Sequence, residues 1–344
     1  MAPFRSSPLA LMAVLAVAVG LPAAAAAPAA AATKYTITDL GSLGGGVTHA
    51  LAINASGQVT GDSVLFKQVQ VPCPPQQYGG QKKCFANPDH AFLWSNGTMT
   101  DLGALDGGNG LFSQGVAIND SGQVVGPSSG GSFPGNPFLW NGHKLIALRG
   151  TTMSQAYGIN DSGQIAGQCG WVVAPELNPC VVSNGTATTL PDCGDIAVAI
   201  NNNGQVIGDC GDNDALAVMW TNDTPTVLGT LGGAAARPTA VNNMGQVAGT
   251  SQTATGATDG FLYSNGTMTD LGSFTPAAIN DNAVMVGGQN IDSGGTVQNL
   301  NNLIPAGSGY QIQNATGIND NGQIVANADD TATGQIHALL LTPS

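Results

Sequence analysis

The chain has 344 residues and a formal net charge of -13 at pH 7, with only 8% of its residues charged, against roughly 25% in ordinary globular domains. A surface so poor in Lys and Arg cannot neutralise phosphates, which excludes nucleic acid and anionic lipid as partners. Its polar surface must instead be built mainly from Asn, Gly, Ser, Thr and Gln.

In chain order, the first element reads as a secretory signal peptide over residues 1–32. Arg5 is the one charge ahead of an apolar run at 9–21, and small residues follow, with a cut between Ala24 and Lys34. The run is shorter than the ~20 residues a membrane span requires, and no later segment is expected to cross a bilayer. The mature chain, 33–344, is expected to be a single secreted domain, extracellular, at the cell surface or in the periplasm. Six cysteines, an even number, fit that oxidising compartment.

Next comes KYTITDLGSLGG at 34–45, an extended segment running into Leu-Gly, and then His49 just ahead of AINASGQVTG. That decapeptide is written seven times: from Ala52, Ala117, Gly158, Ala199, Ala240, Ala278 and Gly317. Its asparagines are Asn54, Asn119, Asn160, Asn201, Asn242, Asn280 and Asn319, spaced 65, 41, 41, 41, 38 and 39. The long first interval carries a Pro-rich insertion at 64–89 that holds Cys73 and Cys84. A period near 40 predicts a stacked or radial repeat architecture.

Forty-nine glycines and nineteen prolines make long helices costly, at about 1 kcal/mol per interior Gly and 3 per Pro. Short Val, Ile and Leu runs between turn signals predict strands instead. Within the decapeptide an apolar strand (A) ends at Ile, four residues turn, and a second strand (B) begins at Gln. Asn at the first turn position accepts from a backbone amide two residues on, and Gly takes positive φ, as in a type I turn closed by a glycine bulge. A calcium loop would need alternating acidic ligands, which the copies Asn-Asn-Asn-Gly and Asn-Asn-Met-Gly lack. HAFLW from His90 and its counterparts form a third strand (C). An Asn-Gly turn then leads to a fourth strand (D), as in NGTMTDLG from Asn96 and again from Asn265. The sixth repeat, at 287–303, lacks an FLW segment and predicts a short or missing C strand.

Cys73 and Cys84 are eleven residues apart, as are Cys169 and Cys180. Each pair is expected as a local disulfide worth about 3 kcal/mol or less, leaving Cys193 and Cys210 as the third. Placing Ile200 opposite Gln205 across the hairpin puts Cys210 opposite Asp195, two residues from Cys193. No CxxC pair exists, so zinc is not expected.

The segment at 34–45 is a D strand without A, B or C before it, and HALLLTPS at the C-terminus is a C strand without a D. Adding 35–40 to 336–341 completes the last sheet and removes exposed edges. The expected fold is therefore an all-β, seven-bladed β-propeller of four-stranded antiparallel blades, the last closed by the N-terminal strand.

HAFLWSNGTMTDLG, AINDSGQVVG and DLGxLGG together resemble the HAF family of extracellular repeats, over nearly the whole mature chain. The name-giving triplet stands here as His90-Ala91-Phe92 and becomes His-Ala-Leu at His337. The resemblance implies a bacterial, exported repeat protein and supplies no catalytic residues.

Groups with obvious chemistry are few. There is a single glutamate, Glu176, and four histidines. His90 and His337 share one repeat position, which points to a structural role, and His143 lies in a C–D turn. His49 has no counterpart in the other copies and is the best single ligand-binding candidate. Asp209, Asp212 and Asp214 form an oxygen-donor cluster that could hold calcium; no other cofactor is expected. No GxSxG, HExxH or phosphate-cradling motif occurs. Two functions stay open. One is a monomeric, non-enzymatic scaffold that binds a glycan or protein on its loops. The other is a secreted hydrolase or lyase acting on polysaccharide at the central face.

Overall fold

The computed structural model describes residues 35–71, 84–105, 110–129, 136–170, 177–191, 196–211 and 215–344. The expected signal peptide, Cys73, Glu176, Cys193, Asp212 and Asp214 lie outside the described residues. Thr33–Ser344 is one compact unit, and its described residues are all-β. The described residues form five four-stranded antiparallel sheets, one nine-stranded sheet and a two-stranded hairpin. Helical structure among them is confined to two 3-10 turns, Leu148–Thr151 and Leu300–Asn302.

The fourth repeat shows the unit. Strands Ile196–Ile200, Val206–Cys210, Leu216–Thr221 and Thr224–Gly229 lie side by side in the order A-B-C-D. Val206 and Ile207 point to opposite faces, yet both are fully covered. The sheet is thus sandwiched by apolar neighbours, and its strands read apolar rather than alternating. Val206 packs with Ala166 and Leu190 of the third repeat, and Ile207 with Ala236 and Phe261 of the fifth. Asn96-Gly97, Asn184-Gly185 and Asn265-Gly266 all have positive φ, the primed turn whose twist suits a two-residue hairpin.

The nine-stranded sheet is the first two repeats joined where Asp89 bridges Phe112 in parallel. The A strand of the second repeat is broken into Phe112–Ser113 and Ala117–Ile118. The insertion contributes the hairpin Val69–Val71 with Cys84–Ala86. The sixth repeat has all four strands, but its C strand, Asn290–Ser293, is four residues long. Tyr35–Asp39 pairs antiparallel with Ile336–Pro343, Tyr35 opposite Pro343 and Asp39 opposite Leu339.

One register expectation is corrected. Ile200 lies opposite Val206, not Gln205, and a bulge between Ala197 and Ala199 absorbs the offset so that Ile196 pairs with Asp209. The same bulge recurs in the hairpins at Ala50/Ala52, Ala156/Gly158, Pro238/Ala240 and Ala315/Gly317. It brings the A-strand carbonyl against the B strand: a Cβ on Gly208 would stand 2.0 Å from the Ile196 carbonyl oxygen. That contact explains the last glycine of the decapeptide.

The turn itself has the expected form. In the first copy the Gly57 amide donates to the Asn54 carbonyl and the Asn54 amide to the Gln58 carbonyl, both at 3.0 Å. Gly57 has φ 76. The sixth copy keeps both bonds, Ala283 to Asn280 and Asn280 to Val284, although Ala283 takes φ 57. A side chain there costs roughly 1–2 kcal/mol, partly offset by the extra unfolded-state freedom of glycine. Ala283→Gly is therefore expected to stabilise the protein by about 0.5–1 kcal/mol, read as a raised urea midpoint at unchanged m-value.

Candidate functional site

Each repeat asparagine does more than shape its own turn. Asn201, 4% exposed, accepts from the amides of Asn203 and Gln205 on Oδ1. Its Nδ2 donates to Gln205 Oε1 and to the carbonyl of Asn242, both at 2.8 Å. That second bond crosses to the next repeat, and it recurs at every copy. Asn54 donates to Asn119, Asn119 to Asn160, Asn160 to Asn201, Asn242 to Asn280 and Asn280 to Asn319. Asn319 then donates to the carbonyl of Asn54 at 3.1 Å, across 265 residues. The seven bonds form a closed circuit.

One residue further along each turn lies a second circle. The Ala55 amide donates to Asp120 Oδ1, Asp120 to Asp161, Asp161 to Asn202, Asn202 to Asn243, Asn243 to Asp281 and Asp281 to Asp320. Ala55 has no side-chain acceptor, so the pattern cannot recur between Asp320 and Ala55. The two circles line a basin of about 240 Å3 together with the β-branched residues that precede each asparagine. Four carboxylates and no basic residue face it. Such a lining accepts hydroxyl and cationic groups and repels anions.

His49 does not sit ahead of its strand as expected. It lies within Gly44–Ile53, a strand that starts at Gly44 opposite Leu65 and shifts register before Thr48, where Gly44 and Gly46 take positive φ. Its Nδ1 is 2.9 Å from Asp62 Oδ2, and Gln114 Nε2 donates to Asp62 Oδ1 at 2.7 Å. Gln114 stands five residues before Asn119, as His49 does before Asn54, so the contact ties the first repeat to the second. Asp209 occupies the equivalent place in the fourth repeat, and it is paired with Arg237 of the fifth, five residues before Asn242. The structure thus gives Asp209, a candidate calcium ligand, a counterion between repeats. Asp212 and Asp214 lie outside the described residues, and among the described residues no group of three or more metal-binding side chains converges.

Asp62 pairs with Ala91, so Asp89, two residues away, shares its face. Asp89 Oδ1 is buried without a hydrogen-bond partner. Burial, then the negative charge of Asp62 and a hydrogen bond shared with it, push the Asp89 carboxyl up to about 6; His49 and His90 pull it back only in part. Two carboxylates cannot donate to each other, and below about pH 6 a proton held between them supplies the missing bond. The hydrogen bond to Asp62 raises His49 by more than its burial lowers it.

The sign for stability follows. A carboxyl raised in the folded state favours folding while protonated, so this contribution is lost as pH rises from about 4 through about 6. Asp89→Asn is expected to raise the urea midpoint at pH 7 and to flatten its decline between pH 4 and 6, measured by denaturation at successive pH values.

No protein-family model and no curated protein matches the chain. Among solved structures it is similar to TolB from Acinetobacter baumannii, at 11% identity and TM-score 0.41 over 84% of this chain. The match spans 64% of the TolB chain. It is also similar to an X-ray structure bearing the name "putative gluconolactonase", at 9% identity and TM-score 0.38, over 92% of this chain and 93% of that one.

His90 and His337 behave alike. His90 Nδ1 meets Asp101 at 2.9 Å and His337 Nδ1 meets Asp39 at 2.8 Å, in each case the Asp of the D-strand Asp-Leu-Gly. Tyr310 also donates to Asp39, at 2.8 Å. Burial pushes Asp39 up, but bonds from the Gly41 amide, His337 and Tyr310 outweigh it and leave its carboxyl lowered. His143 is exposed. The disulfide Cys169–Cys180 is formed. Cys210 is disulfide-bonded too.

Proposed function

We propose that the sheets are the blades of a closed seven-bladed propeller, and that it is an exported, monomeric, non-enzymatic binding module of the HAF repeat type. The signal peptide read at 1–32 supports export, and the face bearing the repeat turns is the ligand face. Support for closure comes from seven apolar clusters, each shared by two repeats. One of them joins Val325 and Leu340 of the last repeat to Ala50, Val59 and Phe92 of the first. The observation that carries the binding reading is the basin. Amide and carboxylate groups are held there by an asparagine circuit that spends its own bonds on structure and leaves the rim to face outward. A ligand rich in hydroxyl or cationic groups, on a glycan or a protein, suits that rim.

The test is a binding array of glycans and proteins probed with the purified, oxidised mature chain, repeated with Asp281→Asn and Asp320→Asn. Capture that the variants weaken supports this reading, and no capture from any class refutes it.

A hydrolase or lyase is the second reading, favoured by one observation. The Asp89 carboxyl, pushed up to about 6 by its burial and by Asp62, keeps its proton to a higher pH than an ordinary carboxyl, as a general acid must. It requires turnover on a polysaccharide panel that Asp89→Asn eliminates.

A further inference from the structure

Two clefts lie at the same place in the repeat, three repeats apart. One, of about 410 Å3, opens between the third and fourth sheets; the other, of about 290 Å3, opens between the sixth and seventh. Their linings correspond by register. Val182 pairs with Ile165, five residues after Asn160, and Asp292 with Met285, five after Asn280, so Ser183 and Ser293 occupy one C-strand position. Thr188 and Gln298 correspond on the D strands, opposite Val181 and Ile291. Asn203 and Asn321 correspond in the turn of the following repeat.

The chemistry is shared as well. Each cleft is lined by apolar side chains, Val181 and Ile200 in one and Ile291 and Ile318 in the other, together with amides and hydroxyls. Neither is lined by Lys, Arg or His, and each has one carboxylate, Asp223 or Asp320. Anionic ligands are therefore disfavoured, and nothing offers a strong counter-charge to a cationic one. Side chains that both donate and accept match hydroxyl groups, which also do both. A lining that mixes apolar groups with amides and hydroxyls matches a pyranose ring, which presents C–H faces and hydroxyl edges. The volumes lie at the lower end of small-molecule sites, enough for one or two sugar units.

We propose that these clefts are two equivalent subsites for a neutral oligosaccharide, making the protein a bivalent receptor for neutral polysaccharide. The proposal rests on the binding-module reading and narrows its ligand. Two sites on one rigid ring allow a polymer to be held at both, so avidity for long chains exceeds affinity for short ones. The cleft between the sixth and seventh sheets has Val284 where the other carries Gln164, so it is the weaker of the pair.

The test is calorimetry of the oxidised mature chain with cellotetraose, mannotetraose, laminaritetraose and chitotetraose. At least one sugar is expected to bind at two sites per chain, with affinity unchanged by added salt. Ser183→Trp and Ser293→Trp, which fill the clefts, should each remove one site, and the double variant both. Because a bulky residue can disturb its sheet, Asn203→Ala and Asn321→Ala, at exposed positions of the two linings, are measured beside them. Each should weaken its own cleft by about tenfold at a thermal midpoint lowered only slightly, since the bonds given up, Asn203 to the Asn243 carbonyl and Asn321 to the Ala55 carbonyl, are exposed to solvent. Sugar binding that survives both fillings overturns the proposal while leaving a binding module with its site elsewhere, as at the basin. Capture only of peptides or charged glycans overturns it in the same way. Failure of every ligand class on the array refutes the binding-module reading together with this one.

Discussion

A chain truncated before Gly41 should fail to reach the native state. Five residues, Tyr35–Asp39, form the outer strand of the sheet that contains the C-terminal strand Ile336–Pro343. Beyond that register, the Tyr35 amide donates to Leu303 and the Leu40 amide to Ala338, and Tyr35 and Leu40 are 4% and 5% exposed. Burying these two side chains contributes about 1.5–3 kcal/mol each. The strand hydrogen bonds add about 1 kcal/mol apiece. The sum is comparable with the whole net stability of a typical domain, about 5–15 kcal/mol. Truncation also bares the edge of a strand that carries Leu339, Leu340 and Leu341, an invitation to intermolecular pairing. Circular dichroism and gel filtration should show an aggregating chain, and a synthetic peptide spanning residues 34–43 added during refolding should restore the elution volume of the full chain. A truncated chain that elutes as the full chain does, with an unchanged melting point, would contradict this expectation.

The second large effect is expected at Asn201. Replacing it with Asp preserves shape and both Oδ1 bonds but removes the two donors. The Asn242 carbonyl and Gln205 Oε1 then face a buried negative charge instead of an amide. The cost at pH 7 should be about 3–5 kcal/mol, above the roughly 3 kcal/mol of Asn201→Ala, because an uncompensated charge is worse than a missing group. The introduced carboxyl would titrate above its unfolded value, so the deficit should shrink as pH falls and the group becomes protonated. Thermal melts of the two variants between pH 4 and 7 distinguish them. Equal, pH-independent losses would mean that the bridge to the next repeat contributes little.

Much of the fold was legible because its information is local and repeated. Asn-Gly turns, the decapeptide hairpin and the eleven-residue spacing of Cys169 and Cys180 each act within a dozen residues, and each is found as expected. The bulge was not legible. It adds a residue without altering the apolar pattern, and it misplaced Ile200 by one position. The inter-repeat contacts were hidden for another reason. A sequence shows that Asn recurs, and a turn already explains it, so nothing pointed to the second use of its Nδ2 on a residue 41 positions away. Asp209 with Arg237 and Asp62 with Gln114 were likewise unreadable, since their partners differ in type from copy to copy. Counting five residues back from each asparagine aligns His49, Gln114 and Arg237, and that alignment was the one available signal.

The asparagine circuit also bears on the potential at the basin. Each amide points its donor toward the following repeat, and the chain of donors returns to its start. Vectors laid head to tail around a loop sum to nothing, so the seven amides neither attract nor repel a charge on the axis. The field there is left to Asp120, Asp161, Asp281 and Asp320, which makes the basin cation-seeking however many amides surround it.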